Sequence, residues 1–380
     1  MKKAPKSQSP KPRRKSVAKI QARQAHAAPA RKPRILWANA YCLLDTSSGA
    51  SISVRQILKQ LAASGFDVKV IGATHFDHPR GATHLEIPLG EAMREKAQKC
   101  VINDGPLTHY LLMTSSPTRE NMKLSEANDL YYLYISALDT FKPDLVFFYG
   151  GNPWDFFIPH EARVRGIPSA AYLVNANYTT TRWCRDVDLI ITDTQATSDY
   201  YQGSMGYAPV PVGKFIDPGK VIAPRHDRNR ATLINPSWSK GAGIVAMVAT
   251  MLEKRRPDIV FEVVESRGDW SGVVQAVTAH MEGIPRSALN NVVVTPATDN
   301  IADVYSRSRV VLGLSQWWES GSRVLAEAML NGIPAIVSNH GGSPEMVGDG
   351  GIVVDLPPEC HEAPYTKLPR PDLLEPIVAF

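Results

Sequence analysis

The sequence predicts an α/β protein of two doubly wound domains facing a central cleft. Three observations predict it. From Arg34 onward short apolar runs alternate with helical periods, as a parallel sheet covered by helices requires. A second strand–loop–helix series begins at Thr232, after a stretch rich in proline and charge. Finally, 380 residues suffice for two domains of ordinary size. Such sheets bind ligands at their strand-end loops, so a pair of them shares one crevice.

The first 33 residues stand apart. They hold 11 Lys/Arg and no Asp or Glu, so of the formal net charge of +5 the remainder of the chain carries −6. Pro10, Pro12, Pro29 and Pro33 interrupt any helix there, and the composition predicts a disordered basic tail over 1–33. Such an arm suits an anionic membrane surface; a solvated tail without a partner is the plainer reading, and nucleic acid is not the expected partner. No apolar run approaches the roughly 20 residues of a bilayer span, and the N-terminus has no apolar core of a signal peptide. The expected location is cytoplasmic, with peripheral contact at the inner face of the membrane left open. Cys42, Cys100, Cys184 and Cys360 are far apart, with no CxxC pair and no zinc-like histidine spacing, so they read as plain thiols in a reducing compartment.

The first domain is expected over 34–222. Ile35–Ala38 reads as its first strand and Asp45–Ala50 as the loop after it. Val54, Ile57, Leu58 and Leu61 recur at helical spacing, with Gly65 placed to stop that helix. Val68–Ile71 is the next strand. Residues 73–122 carry scattered apolar positions and several prolines and yield no assignment. A helix ending near Phe141, the strand Leu145–Tyr149 and a turn at Gly150–Pro153 follow. Ala170–Val174 and Leu189–Thr192 are further strands, and the half closes over Pro211–Pro218. Ala223–Arg230 has the composition of a linker.

The second domain is expected over 231–360, with Thr232–Asn235 as its first strand, Ser239–Gly243 as a loop, Ile244–Glu253 as a helix and Ile259–Val264 as the next strand. Residues 361–380 form a C-terminal extension. The strand Val310–Leu314 delivers the most informative run, Gln316 to Pro334, to the crevice. Ser322 is placed to cap a helix with apolar Val324, Leu325, Ala328 and Met329 and with Gly332 at its end. Glu319 then lies before that helix and Glu327 inside it. Carboxylates accept hydrogen bonds from sugar hydroxyls, and the free amides of the first turn at Ser320, Gly321, Ser322 and Arg323 suit anionic or hydroxyl groups. Taken singly, Glu319 reads first as a solvated loop acid and Glu327 as a helix acid favoured by the dipole.

The ordered set is more specific. Glu319 and Glu327 are followed by Gly332-Ile333-Pro334, then Gly341-Gly342-Ser343-Pro344-Glu345, then Gly348-Asp349-Gly350-Gly351. This resembles glycosyltransferase family 4, the retaining, nucleotide-sugar-dependent enzymes of the GT-B fold, with two Rossmann-like domains. The close part of the likeness covers 299–355; from 34 to about 218 it is a looser match of pattern. The resemblance implies that Glu319 contacts donor-sugar hydroxyls, Glu327 the nucleotide ribose, and Lys240, beside Gly241, the donor diphosphate. Gly49 matches the glycine loop of the first domain, where a missing side chain lets backbone approach the ligand. The family usually has an arginine shortly before the lysine; here Ile234–Ser239 contains none, and Arg323 or Arg267 is the candidate replacement. The family fold also ends in a helix returning to the first domain, so either that crossover is short here or the sequence is clipped.

Asn175 and Asn177 follow one first-domain strand, and Asn152 and Trp154 another; these four are the acceptor-side candidates. Trp317 and Trp318 either stack on base or sugar or pack the domain. Asp186-Val187-Asp188 has the spelling of a metal site but precedes a strand and reads as a turn, so no metal is expected. The expected function is transfer of a sugar from a nucleotide diphosphate donor to the hydroxyl of a sugar or glycoconjugate acceptor, with no cofactor required and retention implied by the resemblance. The alternatives are a nucleotide-sugar epimerase on the same architecture and a non-catalytic sugar- or nucleotide-binding protein.

Overall fold

The computed structural model of the protein describes residues 31–379 except Gly151; up to Ala30, the basic tail expected over 1–33 lies outside the described residues. The first sheet and its helices run β1 (Arg34–Ala38), α1 (Gly49–Ala63), β2 (Asp67–Ala73), α2 (Glu86–Arg94), β3 (Lys99–Asp104), β4 (Leu107–Leu112), α3 (Leu124–Phe141), β5 (Leu145–Phe148), α4 (Phe157–Val164), β6 (Ser169–Leu173), β7 (Leu189–Thr192), α5 (Gln195–Met205) and β8 (Val210–Pro211). The strands lie in the order β3-β4-β2-β1-β5-β6-β7-β8, parallel except where β3 turns back on β4. Strand order reverses at β1, which pairs with β2 on one side and β5 on the other.

A short helix, α6 (Pro218–Val221), precedes the second series: β9 (Arg230–Ile234), α7 (Ala242–Arg255), β10 (Val260–Val264), α8 (Trp270–Glu282), β11 (Val292–Thr295), α9 (Ile301–Arg307), β12 (Ser308–Gly313), α10 (Arg323–Leu330), β13 (Ala335–Ser338), α11 (Ser343–Val347), β14 (Gly351–Val354) and α12 (Glu375–Ala379). Its six strands are all parallel, in the order β11-β10-β9-β12-β13-β14, with the reversal between β9 and β12. The crevice beyond the carboxyl ends of strands at such a reversal is where doubly wound sheets hold ligands.

Both faces of the first sheet are buried. Leu36, Ala38, Val146 and Phe148 share a core with Leu130, Tyr134, Leu138 and Phe141 of α3, while Ile35, Trp37, Val70 and Phe147 pack with Val54, Ile57 and Leu58 of α1. Alternate residues of one strand thus serve opposite helix layers, each large side chain contributing about 1.5–3 kcal/mol on burial. In the second domain α7 is buried from Ala242 to Ala249. The terminal segment, read from the sequence as an extension in which the family's crossover is either short or clipped, packs on this helix: Leu374, Ile377 and Val378 join the second domain's core, and Arg255 forks onto Glu375 at 2.9 and 3.1 Å.

The stretch that yielded no assignment contains α2 and the β3–β4 hairpin, whose two-residue turn is Gly105-Pro106, with Gly105 at φ 62°. Asp186 and Asp188 have separate structural partners. Asp186 accepts from Arg163 at 3.2 Å and Arg185 at 3.1 Å, and Asp188 from the Ser169 amide at 2.8 Å.

Candidate functional site

The site starts where β9 and β12 end. After β9, Asn235 adopts φ 65° and its side-chain oxygen accepts from the Ser237 hydroxyl at 2.8 Å. A single turn over Trp238–Lys240 leads to Gly241, at φ 82°, which opens α7. Its lack of a side chain is a packing requirement: a Cβ there would fall 2.0 Å from the Leu314 carbonyl oxygen, in the exit from β12. The two exits are also stitched together. The Ser239 carbonyl accepts from the Gln316 and Trp317 amides, both at 3.0 Å, and from the Ser315 hydroxyl at 3.0 Å. In this setting the Lys240 ammonium donates to the Glu319 carboxylate and forms an ion pair with it. Ser315 donates to the same oxygen at 3.2 Å. The Lys240 side chain is 30% and that of Glu319 14% exposed, so both reach solvent.

The run after Glu319 is wedged against the first domain. The Thr194 hydroxyl donates to the Ser320 carbonyl at 2.7 Å, and the Thr192 and Ser320 hydroxyls lie 3.0 Å apart. A Cβ on Gly321 would sit 2.4 Å from the Asp193 Cβ. Trp318 packs its ring 4.6 Å from that of Tyr200 and donates to Thr197 at 3.2 Å. Glu345 accepts from the Gln195 and Ala196 amides at 2.9 and 2.8 Å, so a carboxylate of the second domain satisfies free amides at the N-terminus of α5, where the dipole favours it. Asp193 in turn holds Lys214 at 2.8 Å and the Tyr172 hydroxyl; burial, then the Asp193 charge, pushes that phenol well above its ordinary pKa.

Between the domains lies a cleft of about 610 Å³, lined by Ser47, Ser48 and Gly49 at the start of α1, by Asn175 and Lys214, and from the second domain by Lys240, Arg267, Glu319, Ser322 and Arg323. Each of its four cations is matched to one carboxylate: Lys240 to Glu319, Lys214 to Asp193, Arg323 to Glu327 and Arg267 to Asp77. The Arg267–Asp77 pair, at 3.5 Å, and the Arg80 bond to the Ser266 carbonyl, at 3.1 Å, join the two domains.

Comparison with known proteins agrees with this architecture. A sucrose-phosphate synthase from Thermosynechococcus elongatus superposes with a TM-score of 0.62 at 17% identity, covering 92% of this chain and 90% of its own. HepE from Anabaena, in complex with UDP-glucose, superposes with a TM-score of 0.60 at 15% identity, over 91% and 94%. The protein has the GT-B fold. The sequence model described as Glycosyl transferases group 1 matches residues 247–359, the part of the GT-B second domain that contains Glu319 and Glu327. Spore coat protein SA of Bacillus subtilis (strain 168) is 29% identical over 115 residues, 29% of this chain and 30% of that protein, so the match spans under a third of the relative's length.

Within the GT-B cleft, Lys240, Glu319, Gly49, Gly321, Ser322, Arg323, Arg267 and Asn175 all line the cavity. Ser322 occupies the N-cap position of α10 without the expected side-chain bond to the helix. Glu327, Ser320 and Gly241 lie behind the wall. Glu327 is 6% exposed, with Arg323 donating to one oxygen at 2.6 Å and Tyr305 to the other at 2.8 Å. Ser320 is turned to Thr192, and Gly241 is pressed on Leu314. Asn177 is exposed at the edge of a loop. Asn152 and Trp154 line a separate cavity of about 260 Å³ with Tyr41, Arg119 and Glu120, because the indole is tethered to the Ala127 carbonyl at 3.0 Å. Trp318 packs the domain interface, and Trp317, also a lining residue, stands edge-on to Tyr365. Sequence reasoning missed Lys214 and Asp193, which belong to no motif; the one signal was a lysine in the Gly213-Lys214 turn closing the first half.

Proposed function

We propose that the protein is a retaining, metal-independent glycosyltransferase of the family 4 type, moving a sugar from a nucleotide diphosphate donor to the hydroxyl of a sugar or glycoconjugate. The observation that carries this reading is the Lys240–Glu319 pair at the strand ends of the second domain, open to a cleft whose opposite wall is the start of α1. The donor diphosphate draws Lys240 from Glu319, and the freed carboxylate accepts hydrogen bonds from hydroxyls of the donor sugar. The bond from the anomeric carbon to the diphosphate oxygen breaks, a bond to the acceptor oxygen forms on the same face, and the acceptor proton leaves with the diphosphate. Negative charge grows on the departing oxygen, so cations fixed in a partly water-excluded cleft stabilise the transition state more than the ground state. Lys240 and its neighbours supply that charge without a metal ion. The likeness to HepE, which binds UDP-glucose, supports a nucleotide-sugar donor. Asn175 on the first-domain wall, with Asn152 and Trp154 in the neighbouring cavity, serves the acceptor. The reading places the protein in the cytoplasm.

The test is a panel of nucleotide sugars, with and without saccharide acceptors and with and without chelator, read as nucleoside diphosphate release and glycoside product. Glu319→Ala and Lys240→Ala should each lower transfer by about 10²–10³-fold with near-unchanged melting. Wild-type turnover in both variants would sink the assignment. Conversion of a donor to its epimer without acceptor would replace it with an epimerase, and donor binding with no turnover across the panel would leave a binding protein.

A further inference from the structure

We infer that the acceptor is an extended, uncharged glycan, one non-reacting pyranose of which docks in the smaller first-domain cavity, where Arg119 and Glu120 select it. The inference rests on the proposed sugar transfer and deepens it by naming the class of acceptor.

The cavity of about 260 Å³ opens at the carboxyl ends of β1, β4 and β5, from whose exits Tyr41, then Arg119 with Glu120, then Asn152 with Trp154 reach it. It adjoins the main cleft: Tyr41 pairs along the backbone with His75, two residues before Asp77 of the cleft wall. At that volume it falls just under the ~300 Å³ at which small-molecule sites begin, which leaves room for a single sugar ring. Its lining suits one. Tyr41 and Trp154 offer aromatic faces to the C–H groups of a pyranose. The Arg119 guanidinium lies 5.8 Å from the centroid of each ring, with its side chain 10% exposed. One terminal nitrogen donates to Asp155 at 3.3 Å, while the other is buried and has no hydrogen-bond partner among the described residues. A buried donor without an acceptor is costly, and a sugar hydroxyl supplies the acceptor.

Charge decides among sugars. Arg119 is already matched to the buried Asp155, and the exposed Glu120 adds a second carboxylate to the lining. A carboxylated or phosphorylated sugar therefore meets repulsion, whereas neutral hydroxyls donate to Glu120 and accept from Arg119. Beyond the cavity the aromatic surface continues. Ala127, a lining residue whose carbonyl holds the Trp154 indole, is followed one helical turn later by Tyr131 on the same face of α3. The Tyr131 ring lies 5.8 Å from Phe157 and 5.7 Å from Tyr132, and these two are 50% and 68% exposed. Exposed aromatic groups contiguous with a ring-sized cavity give further units of one glycan a surface to lie on, so the chain runs from the cleft through the cavity and along the start of α3.

The experiment is a saturation-transfer NMR titration of the full chain, saturated with whichever of UDP, GDP and ADP binds most tightly. The probes are the mono-, di- and tetrasaccharides of glucose, galactose, mannose and N-acetylglucosamine, and the same disaccharides ending in glucuronic acid. At least one neutral disaccharide should bind about tenfold tighter than its monosaccharide, and its tetrasaccharide tighter still. Glu120→Gln, and Arg119→Lys, which keeps a cation for Asp155, should each cut the disaccharide gain by about threefold to tenfold. Phe157→Ser should cut the further gain of the tetrasaccharide. Glu120→Lys should move the preference about tenfold toward the glucuronate ligand, a shift that a merely structural role would not produce, since it would weaken every saccharide alike. Three results would overturn the inference: no disaccharide gaining over its monosaccharide, a gain unchanged in both Glu120→Gln and Arg119→Lys, or a wild-type preference for the glucuronate ligand. Any of them, with nucleotide binding and turnover intact, leaves the transferase reading standing; wild-type protein that binds none of the three diphosphates would refute that reading itself.

Discussion

Replacing Gly241 by alanine tests how the site is assembled. The residue sits at φ 82°, and an added Cβ would lie 2.0 Å from the Leu314 oxygen, 2.6 Å from its carbonyl carbon and 3.0 Å from its Cβ. The left-handed backbone costs an alanine about 1–2 kcal/mol. Relieving contacts to backbone, which cannot swing away as a side-chain tip would, adds about 1–3 kcal/mol. The sum, about 2–5 kcal/mol, is a large share of the ~5–15 kcal/mol by which native proteins are stable. Spread over the roughly 350 described residues, at about 2 cal/mol/K each, it lowers the melting temperature by roughly 3–7 °C. Because the clash pushes the turn holding Lys240 away from the strand exit that leads to Glu319, nucleotide-diphosphate affinity should fall with stability. Scanning calorimetry and ligand titration on the same variant read both. A Gly241→Ala protein that melts with the wild type and binds with unchanged affinity would refute the claim that contact between the two exits builds the site.

Lys214→Met should cost about 3–5 kcal/mol in urea unfolding, because Asp193 keeps its charge in a buried place without a cation; adding Asp193→Asn should recover most of the loss. Glu345→Ala removes the acceptor for two α5 amides and should cost about 0.5–2 kcal/mol, with faster hydrogen exchange at Gln195 and Ala196. His75 is fully buried with neither ring nitrogen hydrogen-bonded. Burial, reinforced by the Arg119 charge, holds its pKa at about 4 rather than 6.5. The unfolded chain therefore binds the proton first, and folding stability drops by about 3 kcal/mol as pH falls from 6.5 to 4, levelling below that. His75→Leu should flatten this part of the urea-monitored pH profile while leaving stability near neutral pH close to wild type.

Much of the fold was legible because its strands and helices carry their periods openly. β1, α1, β2 and β5, and most of the second domain, appeared where apolar runs and spacing put them. The β3–β4 hairpin did not, although Gly105-Pro106 between two strands is a turn signal. β3 is an edge strand, with Val101 exposed, so its hydrophobic alternation is weak. The terminal segment resisted for another reason: whether Ile377 and Val378 cover one domain or the other depends on which surface lies within reach, and their own sequence is silent on that.

At the site, the sequence alone determined the chemical inventory: a lysine in a glycine turn, two acids eight residues apart around the start of a helix, and the glycines that let loops approach one another. Tertiary structure decided the pairings. Lys240 meets Glu319 across 79 residues and Thr194 meets Ser320 across 126, while Glu327, four residues from Arg323, turns inward to pair with it. Local periodicity encodes which face of an element is buried, but partners far apart in the chain are chosen by strand order and by the packing of one domain against the other. Those are properties of the folded whole, where charges excluded from water must find one another.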